Sequence, residues 1–168
     1  SSKEFLLMAK LTYSLLFISI LFSLLWSTTF AANEHKISFY CSLGLDGRAM
    51  AEGEFVLSEN RSTLRYKLVV HNVKDITMAH LHLGQARKIG TPVAWVYPAG
   101  PPPKPIPGMF DGVLAEGTIT GEDLMGPLKG LPLSSLINQI QAGNVYLNIH
   151  TKAHPRGGIC GPVYLIGE

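Results

Sequence analysis

The sequence is short of most features that announce a function. Two cysteines in 168 residues are too few for a disulfide framework or a four-cysteine zinc site. Charged residues make up only 15% of the chain, the net charge is +2, and the basic residues are scattered thinly from Lys36 to Arg156. No polybasic stripe is there to neutralise phosphates, which argues against nucleic acid as a partner. There is no Gly-X-Ser-X-Gly, no His-Glu-X-X-His and no phosphate-cradling glycine loop, so the common hydrolase, zinc-protease and nucleotide-binding motifs are missing. Nothing repeats at a solenoid period. Glu52 and Glu54 share a strand face as paired glycosidase carboxylates do, but the alternation of a solvated strand accounts for them.

Long apolar runs are equally scarce, with one exception. Leu11–Trp26 follows Lys10 and precedes Ser27-Thr-Thr-Phe-Ala31-Ala32. Its core of about 16 residues is short for a bilayer span, and the small residues after it suit signal peptidase. Residues 1–31 therefore read as a secretory signal peptide cleaved after Ala31. Ser1–Leu7 are read as upstream sequence and Met8 as the natural start. The remainder, 32–168, reads as one secreted domain that no longer engages a membrane once the leader is removed.

All 17 glycines and all 11 prolines fall in that remainder. They punctuate short stretches rich in β-branched and aromatic residues, the pattern of an all-β sandwich or barrel. Strands are expected at 36–43, 49–58, 63–70, 76–83, 92–97, 110–120, 144–151 and 159–166. Within 63–70, Leu64, Tyr66, Leu68 and Val70 alternate with Arg65 and Lys67, the period of a half-exposed strand. Pro98–Gly108 holds six prolines and is expected as a stiff, exposed connector. Thr120 and Asp123 offer a cap to a short helical turn. Leu133, Leu136, Ile137 and Ile140 predict one short helix, capped by Ser134 or Ser135 and ended by Gly143. Asn60-Arg61-Ser62 is a glycosylation sequon on the turn between the second and third strands.

The chemistry concentrates in histidine. His80 and His82 in Met78-Ala-His-Leu-His82 share one face of a strand, with Cβ atoms roughly 6.5 Å apart, so that both rings can reach one ion. His150 ends a later strand and His154 lies in the turn after it. If the two strand ends are neighbours, three or four imidazoles converge on a site suited to copper or zinc. The same residues also read as structural hydrogen-bonding groups on a polar sheet face.

Four blocks then carry a family resemblance: Ala79-His-Leu-His-Leu-Gly84 with Pro92-Val93; Gly117-Thr-Ile-Thr120 with Asp123-Leu124; Ala142-Gly-Asn-Val-Tyr-Leu-Asn-Ile-His-Thr151; and Pro155-Arg-Gly-Gly-Ile-Cys-Gly161. In order and spacing they resemble the chordin domain, CHRD, over roughly residues 36–165. The resemblance implies an extracellular immunoglobulin-like antiparallel β-sandwich or barrel of about seven to eight strands, with no established catalytic activity. Such modules occur in repeats in chordin, which antagonises bone morphogenetic proteins, and singly in secreted microbial and plant proteins. The His-X-His strand is also similar to the copper/zinc superoxide dismutase sandwich, although the rest of that enzyme's ligand pattern is absent. Where the family usually ends Gly-Glu-Ile-Arg-Gly, this chain reads Gly157-Gly-Ile-Cys-Gly161.

The first and last strands of such a barrel commonly pair, and the secretory route is oxidising. A Cys41–Cys160 disulfide is therefore expected. The functional expectation is a secreted binding or structural module for an extracellular protein or a small ligand, with a transition-metal site at His80, His82, His150 and His154. The alternative is a copper- or zinc-dependent extracellular redox enzyme.

Overall fold

The computed structural model describes residues 36–42, 49–86, 88 and 90–165, with 36–42 and 165 as backbone only. The signal-peptide reading, residues 1–31, lies outside the described residues.

The eight strands among the described residues are β1 (Lys36–Ser42), β2 (Met50–Leu57), β3 (Leu64–Leu83), β4 (Thr91–Tyr97), β5 (Ile106–Ile119), β6 (Val145–Thr151), β7 (Ile159–Pro162) and β8 (Tyr164–Leu165). Helix α1 spans Leu133–Gln141. Every strand pairing is antiparallel, so the all-β antiparallel expectation holds.

The two strands expected at 63–70 and 76–83 are one. Alternating burial of Leu64, Tyr66, Leu68 and Val70 runs on into Val73, Ile76, Ala79 and Leu81. Instead of a turn, the segment between them holds two left-handed residues, Asn72 (φ 53°) and Asp75 (φ 52°), within shifts of the β3–β5 register. Asparagine and aspartate tolerate this conformation, and β5 secures both sites. The Asn72 N–H donates to Asp111 Oδ1 at 2.9 Å, and Asp75 Oδ1 accepts from the Gly108 N–H at 2.8 Å. Strand β3 therefore bends without ending. Its first half pairs with β2 and β5, its second half with β4 and β6.

Strands β7 and β8 are one segment interrupted at Val163. The first part pairs with β6 and the second with β1, so the sheet order β7-β6-β3-β2-β1-β8 returns on itself. The Tyr66 hydroxyl donates to the Val96 carbonyl at 2.9 Å, fastening the first half of β3 to β4 across the interior.

Two local expectations are corrected. Strand β5 begins at Ile106 rather than at residue 110, because Ile106–Phe110 still pair with Val73–Ile76; the exposed proline connector is correspondingly shorter. The N-cap of α1 is Pro132, with no side-chain cap, and Ser134 and Ser135 lie inside the first turn. The Thr120–Asp123 capping box does form, on a single 3-10 turn. Leu133, Leu136, Ile137 and Ile140 are all buried in the common core, and Gly143 ends the helix at φ 71°.

Asn60 lies on the exposed β2–β3 turn, where its Oδ1 accepts from the Ser62 hydroxyl at 2.7 Å and from the Ser58 hydroxyl at 2.8 Å. No helix among the described residues is long and apolar enough to cross a membrane.

Candidate metal centre

Strand register decides which residues meet. His80 lies opposite Asn148 and His82 opposite Tyr146, while Met78 lies opposite His150 and Asn148 opposite Cys160. Directly paired residues share a face. These side chains therefore stand together on the outer side of the second half-sheet, while Ala79, Leu81, Leu147 and Ile149 fill the core on the other side. Strand β6 is buried along its whole length, and over this outer face lie Lys88 and Gly90 on one loop and Pro155–Gly157 on another, tied to it through Tyr146, Asn148 and His150. Between these loops and the sheet lies a cleft of about 530 Å³.

At its floor, ring nitrogens of His80, His82 and His150 lie within 4.8 Å of one another, and each ring is only 6% exposed. Backbone carbonyls set two of the tautomers. His150 Nδ1 is 2.9 Å from the Pro155 carbonyl and His82 Nδ1 is 3.0 Å from the Gly90 carbonyl; a carbonyl only accepts, so both Nδ1 atoms carry the proton. His150 Nε2 is then an acceptor, and His80 Nδ1 donates to it at 3.3 Å. Each ring has its lone pair on Nε2; that of His150 is engaged by the His80 Nδ1–H, and a metal ion would have to displace this bond. The Nε2 of His82 is buried and has no hydrogen-bond partner, a costly arrangement for a structural histidine.

The rings are held from the side as well. His82 stacks on Tyr146, with centroids 5.1 Å apart, and His80 stands edge-on to Trp95 at 4.1 Å. Burial, followed by the neighbouring His150 and His82, drives the His80 pKa down to about 3. Burial also lowers His82 and His150, partly offset by their hydrogen bonds to Gly90 and Pro155. All three are neutral at physiological pH, which is the coordinating form.

Three of the four expected ligands thus converge. His154 does not: it lies in the exposed turn after β6, where its N–H donates to Thr151 Oγ1 at 3.1 Å. Cys160 is half-buried and lines the cleft. The side chain of Cys41 lies outside the described residues, and so does the Cys41–Cys160 bridge; the backbones of β1 and β7 run within 8 Å of each other.

Sequence reasoning missed the frame around the rings. The Tyr146 hydroxyl accepts from the Gly90 N–H and donates to the Lys88 carbonyl, both at 2.9 Å. Asn148 Nδ2 donates to the Arg156 carbonyl at 3.2 Å. Gly157, at φ 97°, packs so closely on Asn148 that a Cβ there would overlap its amide. Gly90 is packed as tightly against the Leu83 carbonyl.

An antiparallel β module with a histidine triad in a roofed cleft is the class these features define. The chain belongs to the CHRD domain family, whose profile matches residues 43–163. No curated protein and no solved structure matches it.

Proposed function

We propose that this chain is a secreted chordin-like module that binds one copper or zinc ion through His80, His82 and His150. The observation that carries the reading is the His82 Nε2 lone pair, buried without a partner beside two further neutral imidazoles, His150 with its proton on the Pro155 carbonyl and His80 with its proton on His150 Nε2, a bond that a bound ion would replace. Three protein nitrogens with a cleft above them match a metal site that keeps one position open. The carbonyls of Gly90 and Pro155 serve as the outer partners that orient metal-binding histidines. The leader at 1–31 and the family's extracellular occurrence support secretion, and N-terminal sequencing of the secreted protein should begin at Ala32. Asn60 is the proposed glycosylation site, exposed on its turn.

The experiment is metal analysis of protein purified from its secretory route, followed by calorimetric titration of the metal-free form with zinc and copper. About one equivalent per chain is expected, held tighter than micromolar at neutral pH. The double variant His80→Gln with His82→Gln should lose the metal and keep its fold. A metal-free wild type with no binding tighter than micromolar, together with a destabilised double variant, would return the histidines to a scaffolding role.

A further inference from the structure

The two segments that roof the cleft are pinned at particular points. Tyr146 fastens the first through the carbonyl of Lys88, and Asn148 fastens the second through the carbonyl of Arg156. Strand β6 thus fixes the backbone of two cationic residues at the cleft, one on each side. Both line it, and among the described residues lining it there is no carboxylate. Both residues are exposed, so their charges cost no desolvation until something arrives between them.

An ion held by three neutral imidazoles retains its full positive charge and an open position. Two further positive charges at the rim, with no carboxylate among them, create a field that only a negative ligand relieves. Among the described residues, the cleft itself supplies no carboxylate to fill the open position. The cleft of about 530 Å³ leaves ample room above the rings for a small anion. We infer that the open position of the metal takes a small exchangeable anion, drawn in and held between Lys88 and Arg156. This rests on the metal reading above and specifies what the site binds.

The test uses full-length protein loaded with copper(II) and azide as the probe, followed by visible absorption. Lys88→Gln and Arg156→Gln leave the backbone carbonyls that anchor the loops, so metal content and unfolding temperature should match wild type. Lys129→Gln, an exposed lysine away from the cleft, is the control. Wild type should bind azide with a new absorption band. Each cleft variant should weaken binding by about two- to fivefold, the double variant by about tenfold, and added salt should weaken wild type more than the double variant. Equal azide affinity in wild type and the double variant would overturn the cationic rim. Copper-loaded wild type that ignores azide would overturn the anion site while leaving the metal site standing. Protein that retains no copper would overturn both.

Discussion

Tyr146 and Gly90 hold each other at the cleft. The Gly90 N–H donates to the Tyr146 hydroxyl at 2.9 Å, while the Gly90 carbonyl lies 3.0 Å from His82 Nδ1. One peptide segment therefore transmits the position of a phenol on β6 to the tautomer of an imidazole on β3. Tyr146→Phe removes the hydroxyl and keeps the stacked ring. It should cost about 1–2 kcal/mol of stability and weaken zinc affinity by about tenfold. Parallel chemical denaturation and zinc titration check both; unchanged zinc affinity would separate Gly90 from ligand orientation.

Acid should destabilise the metal-free protein through the triad. The unfolded chain protonates its histidines near pH 6.5, whereas the folded state holds His80 at about 3 and His82 and His150 below their ordinary value. The unfolded state then binds more protons, so stability is full above about pH 6.5 and falls as pH drops from there toward 3. By pH 5 the loss from His80 should be about 1 kcal/mol, after discounting for the open side of the cleft. Denaturant midpoints measured between pH 7.5 and 4.5 test this, and His80→Gln should flatten the curve.

Gly157→Ala should damage the roof specifically. A Cβ at φ 97° is strained, and it overlaps the Asn148 amide that donates to the Arg156 carbonyl. A loss of about 2 kcal/mol or more is expected, read by thermal unfolding. Gly130→Ala carries a comparable backbone strain at φ 78° with open space around its Cβ. It should cost less, and equal costs would show that Asn148 does not enforce the contact.

We propose a Cys41–Cys160 bridge, a reading that the side-by-side run of β1 and β7 supports. It closes a loop of about 120 residues, an effect of at most roughly 4–5 kcal/mol on chain entropy. Non-reducing peptide mapping of secreted protein should recover the two peptides linked. Alkylation of both thiols in unreduced, denatured protein would remove the bridge and leave Cys160 as a thiol at the cleft wall.

How much of this was legible in the sequence depends on the range of each signal. His80 and His82 could be placed on one face because strand alternation is local. Their meeting with His150 depended on strand adjacency, which β6 pairing supplies and which the sequence states only as a condition. His154 illustrates the limit: four residues from His150, it is carried away by the turn, since sequence proximity says little about direction after a strand ends. Tyr146, Asn148, Gly90 and Gly157 act through register and loop packing and had no local signature beyond being a tyrosine, an asparagine and two glycines. The unbroken β3 was hidden for a related reason. Asn72 and Asp75 look like turn residues, and only their partners Asp111 and Gly108, more than thirty positions away, convert the turn into a bend.

The pairing of β1 with β8 has a consequence for biogenesis. Ile37 meets Leu165 and Ser38 meets Tyr164, so the first strand finds a partner more than 120 residues further along the chain. Until residue 165 is clear of the ribosome and of any channel it is crossing, β1 has only β2 beside it, with its other edge open to foreign strands. Closing β1 onto β8 is then a late, long-range step, slowed by the loop entropy of joining two distant strands. A truncation that removes Tyr164 and Leu165 should leave that edge exposed permanently, producing aggregation rather than a slightly weaker monomer.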